Sequence, residues 1–246
     1  AMGFAITPRS IEQASYRIRP NVELGMRRYM MTNEIQRTTM IDGQILPNKV
    51  SDPAVISALR SIAREAFVPK SLRAVAYVDE DLEVVPGRYI MEPMVFARLV
   101  DMAKIKSEDL ILDVGPTFGY STAILAQLSS TVVGLEDDAD MVTKANDGLL
   151  KADVSNAAVV EGPLCDGYAK EAPFNVIFLN GCVEEIPQSL IDQLAEGGRM
   201  VGVRIHDGLG RGFVGEKHGG VFGVKDFMDA NVPMLPGFKK TKTFQF

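Results

Sequence analysis

The sequence predicts an α/β protein: a parallel sheet with helices on both faces, a helical N-terminal extension and antiparallel strands at the C-terminal end. Three observations carry that expectation. Short apolar runs at Leu110-Ile111-Leu112-Asp113-Val114, Thr131-Val132-Val133-Gly134-Leu135, Ala157-Ala158-Val159-Val160, Phe174-Asn175-Val176-Ile177-Phe178-Leu179 and Met200-Val201-Gly202-Val203 are separated by stretches with room for one helix each, the rhythm of successive βαβ units. The runs are nearly continuous rather than alternating, as strands buried on both faces must be. With 246 residues, 46% of them hydrophobic and 24% charged, the chain can bury a full core without disulfide or metal staples.

Residues 1–33 read as an extension: Ala1-Met2-Gly3 resembles a cloning scar, and the rest is a tail or docking helix with a helical hint from Ser10 to Ile18. It is also basic, through Arg9, Arg17, Arg19, Arg27 and Arg28, the pattern of a solvated segment. Residues 34–246 form the domain. Asp52 as N-cap and Pro53 at the first helical position announce a helix whose inner stripe is Val55, Ile56, Leu59, Ile62, Ala63 and Ala66. Asp79 to Tyr89, with its acids, Pro86 and Gly87, has the composition of a surface loop. A second helix starts at Glu92-Pro93 and turns Val95, Phe96, Leu99, Val100 and Ala103 inward. The sheet begins at Leu110, and from Gly208 onward a glycine-rich tail predicts antiparallel strands or hairpins.

Charge narrows the partners. There are 26 Lys+Arg against 32 Asp+Glu, a net charge of −6, and an acidic chain repels the phosphate backbone that dominates nucleic-acid affinity. No apolar run reaches the length of a membrane helix, and the first residues lack the layout of a secretory signal, so a cytoplasmic protein without a membrane partner is expected, monomeric or homo-oligomeric. Cys165 and Cys182 stand alone without a His at ligand spacing, which predicts free thiols and no metal site.

In an open parallel sheet the ligand crevice lies where the chain leaves the carboxyl ends of the strands. The first such turn is Asp113-Val114-Gly115-Pro116-Thr117-Phe118-Gly119. Gly115 and Gly119 permit a sharp entry into the next helix, whose first N–H groups are then free for an anionic ligand group. The next strand ends at Glu136, about 20 residues on, where an acid can hold a ribose diol. A phosphate-binding P-loop fails because Tyr120 follows Gly119 where that motif needs Lys. A nicotinamide site stays open, although the turn lacks a middle glycine and the sheet starts late in the chain. No G-x-S-x-G occurs, and His206 and His218 flank a glycine-rich segment, an arrangement that reads as structural or exposed.

Several segments carry a resemblance: Met40-Ile41-Asp42-Gly43-Gln44-Ile45, Arg64-Glu65-Ala66-Phe67-Val68-Pro69, Ala76-Tyr77-Val78-Asp79, Leu112 to Thr122, Ile186 to Leu194 and Gly197-Gly198-Arg199. In this order and spacing the chain resembles the protein-L-isoaspartate O-methyltransferase family, a class I S-adenosylmethionine-dependent group, over about Gln36 to Phe246. The ending Pro233 to Phe238 looks like a divergent bacterial branch. The resemblance implies a Rossmann-like methyltransferase fold with S-adenosylmethionine as cofactor and a protein or small-molecule methyl acceptor. It places Asp113, Gly115, Thr117 and Gly119 at the methionine end of the cofactor, Glu136 on the ribose hydroxyls, and Gly162 and Leu164 in the stretch after the third strand.

Three positions depart from the family pattern. Thr117 replaces the middle glycine of the turn. Pro163 replaces the acid expected after Gly162, with Asp166 as a nearby substitute. Met91 stands at the family's catalytic serine position, where a thioether cannot donate a hydrogen bond. Tyr89, Met91 and Met94 then either line a pocket for a more apolar acceptor or fill it. The function expected is S-adenosylmethionine-dependent O-methyl transfer with isoaspartate put in question by Met91. The alternative is a catalytically silent protein of the same fold that acts as a binding or interaction module.

Overall fold

The computed structural model describes residues 20–240; the helical hint at Ser10–Ile18 and the last six residues lie outside them. Helix α1 (Pro20–Met40) crosses position 33 without a break and runs into a π-helical turn, Ile41–Ile45, where Met40, Ile41 and Ile45 become buried. Helix α2 (Pro53–Ser61) starts as expected, with the Asp52 carboxylate accepting from the Ala54 N–H at 2.8 Å. It ends before the expected stripe does. The Ser61 hydroxyl donates to the Ala58 carbonyl at 2.9 Å, a side-chain competitor for helix bonding, and Ile62 is extended. Residues 64–67 then form a 3₁₀ turn that buries Arg64 and Phe67 and leaves Ala66 exposed.

The surface loop expected at Asp79–Tyr89 is instead a hairpin, β1 (Leu82–Val85) against β2 (Arg88–Ile90), turning at Pro86 and Gly87. Leu82, Val84 and Ile90 point inward, a period-two signal masked by the intervening acids. Gly87 has φ 75°, which the turn needs and glycine supplies without steric cost. Helix α3 (Pro93–Ala103) buries all five residues of its expected stripe.

The main sheet is built from β3 (Leu110–Val114), β4 (Thr131–Glu136), β5 (Ala157–Glu161), β6 (Phe174–Val183), β7 (Leu194–His206), β8 (Leu209–His218) and β9 (Val221–Asp229). Its order is β5-β4-β3-β6-β7-β8-β9. The first five are parallel, with Ile111 opposite Val176 and Val114 opposite Leu179, and β8 and β9 are antiparallel. Helices α4 (Tyr120–Ala126) and α5 (Ala139–Lys151) follow β3 and β4, and α6 (Gln188–Asp192) follows β6. Between β5 and β6 the chain makes only a 3₁₀ turn at Leu164–Asp166, shorter than the helix the spacing allowed.

Neighbouring strand residues feed opposite faces. Ile111, Val132 and Val176 join a core with α2 to α5, whereas Leu112, Val114 and Ile177 join one with α6 and with Leu235 and Phe238 of the last described segment. Strand order reverses between β3 and β6, so a crevice opens at their carboxyl ends. Among the described residues no helix is long and apolar enough to cross a membrane.

Candidate functional site

The turn after β3 is as sharp as its glycines predict: Gly115 has φ 72° and Gly119, the N-cap of α4, φ 89°. Thr117 between them also lies in the left-handed region, at φ 53°. For a β-branched residue that conformation is strained. Its N–H donates to Glu136 at 2.8 Å, while its hydroxyl is buried without a hydrogen-bond partner among the described residues.

Asp113, the last but one residue of β3, has no exposure. One of its oxygens accepts from the Ser121 and Thr122 hydroxyls, each at 2.7 Å, and the other from the Asn180 amide at 2.5 Å. Burial pushes its carboxyl up to about 6 against the pull of these donors. Asn180, one residue beyond the stretch of β6 that pairs with β3, was not anticipated. Its signal was a polar residue breaking an apolar run at a strand end, where the crevice rule applies.

Glu136 ends β4 and is also fully buried. Arg88, from the hairpin, is its partner: one guanidinium nitrogen lies 2.5 Å from Oε1 and 2.7 Å from Oε2. The other reaches Asp137 Oδ1 at 2.6 Å. The Asp137 N–H adds a fourth contact, to Oε1 at 3.0 Å. Burial pushes the Glu136 carboxyl up to about 7, with Arg88 pulling the other way.

Of the acceptor candidates, Tyr89 and Met91 share the walls of two small cavities and Met94 belongs to neither; Met94 packs against the core. Met91 is 4% exposed, and its carbonyl accepts from Arg64 at 2.8 Å. Arg64 is completely buried, with its guanidinium 4.9 Å over the Tyr120 ring and Nη1 unpartnered among the described residues. Only its place inside an apolar stretch hinted at this.

The two cavities hold about 10 Å³ each, room for roughly one water. Arg88 and Leu235 take the space. A methyl group built on Gly115 would stand 2.6 Å from Leu235 Cδ1 and 3.4 Å from Arg88 Nη2. Beyond Glu136 an open groove of about 480 Å³ runs past Asp137, Glu161, Gly162, Pro163 and Leu164. Gly162 donates to the Glu136 carbonyl at 2.9 Å and Leu164 is buried; Asp166 does not line the groove.

The profile of the protein-L-isoaspartate (D-aspartate) O-methyltransferase family matches residues 36–212. The chain belongs to this family. The protein-L-isoaspartate O-methyltransferase of Methanoculleus marisnigri is 39% identical over 166 residues, 68% of this chain and 76% of that one. A relative from Syntrophobacter fumaroxidans is 32% identical over 209 residues, 81% and 96% of the two chains. Among solved structures, one protein-L-isoaspartate O-methyltransferase superposes with a TM-score of 0.71 at 20% identity, covering 83% of this chain and 66% of that one. A Plasmodium falciparum β-aspartate methyltransferase in complex with S-adenosyl-L-homocysteine gives 0.68 at 20% identity, covering 82% and 97%. The sheet with its antiparallel C-terminal strands is therefore the family's Rossmann-like methyltransferase fold.

S-adenosylmethionine is the family's methyl donor. The groove beside Gly162 and Leu164, about 480 Å³, is large enough for a nucleoside. The turn at Gly115 faces Arg88 and Leu235, which leave a cavity of only about 10 Å³ beside it.

Proposed function

We propose that this chain is an S-adenosylmethionine-dependent O-methyltransferase whose acceptor is a carboxylate-bearing protein or small molecule other than an ordinary isoaspartyl peptide. The observation that carries the acceptor reading is Met91, buried beside Tyr89 on a cavity of about 10 Å³. The donor supplies an electrophilic methyl group, and a carboxylate, with a reference pKa of about 4, is already ionised at neutral pH. No general base is needed. What the chain must supply is orientation, and at position 91 it offers a thioether where a hydroxyl would donate. Removing one orienting polar group costs roughly 10²–10³ in rate by analogy with other active sites.

The same reading holds the cofactor with Asp113, Gly115, Thr117, Gly119, Glu136, Gly162 and Leu164. It also takes a cytoplasmic location and no nucleic-acid partner, in keeping with the net charge of −6. The second reading, a catalytically silent scaffold, draws on Arg88 and Leu235 packed against Gly115.

Radiolabelled methyl transfer to an isoaspartyl peptide tests both. The unaltered protein is expected to give little or none, and Met91→Ser, alone or with Thr117→Gly, to give a measurable rate. Turnover by the unaltered protein at rates ordinary for enzymes, about 1–10³ s⁻¹, would refute the Met91 reading.

A further inference from the structure

A carboxylate offers about four acceptor positions, and three of Glu136's hold hydrogen bonds: Oε1 accepts from the Asp137 N–H at 3.0 Å, and Oε2 from Arg88 Nη2 at 2.7 Å and the Thr117 N–H at 2.8 Å. The same Arg88 nitrogen lies 2.5 Å from Oε1 as an ion pair and covers the side of the carboxylate that the two N–H groups leave open. The two N–H groups are fixed by the turn and the strand end. A vicinal diol can reach Glu136 only where Arg88 now sits.

We propose that Arg88 is a resident competitor in the ribose subsite, so that a ligand carrying an adenosine diol binds this chain only by displacing it. The inference rests on the methyltransferase reading above. Two features say which part yields. Leu235 is pinned: its N–H donates to the Cys182 carbonyl at 2.8 Å, the Cys182 N–H donates to Pro233 at 2.9 Å, and Phe238 beyond it is buried. Arg88 instead sits just past the tip of a two-stranded sheet that pairs with no other strand among the described residues, a marginal element on its own. Pro86 and Gly87 at that tip are exposed, so it can lift while Leu82 and Ile90 stay packed. Asp137, the second partner of Arg88, is 39% exposed and gives the guanidinium a path to water.

A ligand that must first free its site binds more weakly by the fraction of molecules in which the site is free. A charge-assisted hydrogen bond of the usual strength sets that factor at roughly tenfold to a hundredfold. Calorimetric titration with S-adenosylhomocysteine therefore compares the unaltered chain with Arg88→Gln and Arg88→Ala, with thermal unfolding to establish that each variant is folded. Both variants are expected to bind at least tenfold more tightly. Equal affinity in all three overturns the proposal and leaves the methyltransferase reading standing; no binding by any of the three overturns both. A crystal structure of the unaltered chain with S-adenosylhomocysteine is independent of variant folding. Arg88 swung away from Glu136 supports the proposal, and Arg88 still bonded to both oxygens beside a bound ribose overturns it.

Discussion

Replacing Thr117 by glycine should make the protein more stable, against the usual cost of adding a glycine. At φ 53° a side chain with a Cβ costs about 1–2 kcal/mol. The buried hydroxyl, unpartnered among the described residues, costs about 1 kcal/mol more. Against these gains stand about 0.5–1 kcal/mol of extra backbone entropy in the unfolded chain and about 0.8 kcal/mol for one lost methyl contact. The balance is a stabilisation of about 1 kcal/mol, or about 2–4 °C in Tm for a chain of this size. The N–H of residue 117 is unaffected, so its bond to Glu136 at 2.8 Å stays. Thermal and urea unfolding of Thr117→Gly and Thr117→Ala separate the contributions, because alanine removes the hydroxyl and methyl but keeps the strained Cβ. If the glycine variant unfolds at or below the alanine variant, the strain assigned to this turn is absent.

Gly115→Ala should act in the opposite direction, because its new methyl would lie 2.6 Å from Leu235 Cδ1 at φ 72°. A loss of about 2–4 kcal/mol follows from overpacking and backbone strain, and adding Leu235→Ala should relieve the overpacking part; an unaltered urea midpoint in Gly115→Ala would refute the contact. Glu136 gives a pH prediction. Its carboxyl is raised to about 7 from about 4.3 in the unfolded chain, so between those values the folded state holds the extra proton. Its contribution therefore favours folding less as pH rises from about 5 to about 7, and Glu136→Gln should remove that part of the slope. Asp113 and Glu92, raised to about 6 and about 7, titrate alike in both proteins, so the difference between the two slopes is the readout; identical slopes would contradict a raised Glu136.

The sheet was legible because a strand buried on both faces leaves no choice of residue type: Leu110–Val114 and Phe174–Leu179 are apolar almost throughout, and they are neighbours. Helix α1 was not legible past its polar sequence, since Pro20–Met40 has little amphipathic periodicity to separate it from a solvated tail. The hairpin was hidden by its outward acids. The strand-end rule led to the turn after β3 and to Glu136 from position, and the family resemblance added Asp113, yet neither says what faces them. Arg88 lies 48 residues from Glu136, and an arginine beside Pro-Gly in an acidic stretch reads as solvated until the fold carries it there. Gly115 holds the same ambiguity in one residue. In the sequence a glycine there explains a sharp turn, and its missing Cβ also leaves room for something to approach the backbone closely. Here that approach is made by Leu235, a side chain of the same chain, held by two backbone hydrogen bonds to Cys182 around it. A glycine turn is thus compatible with an open cofactor cleft and with a closed one. What separates the two is the neighbour, which is set by tertiary packing and which no local spacing encodes.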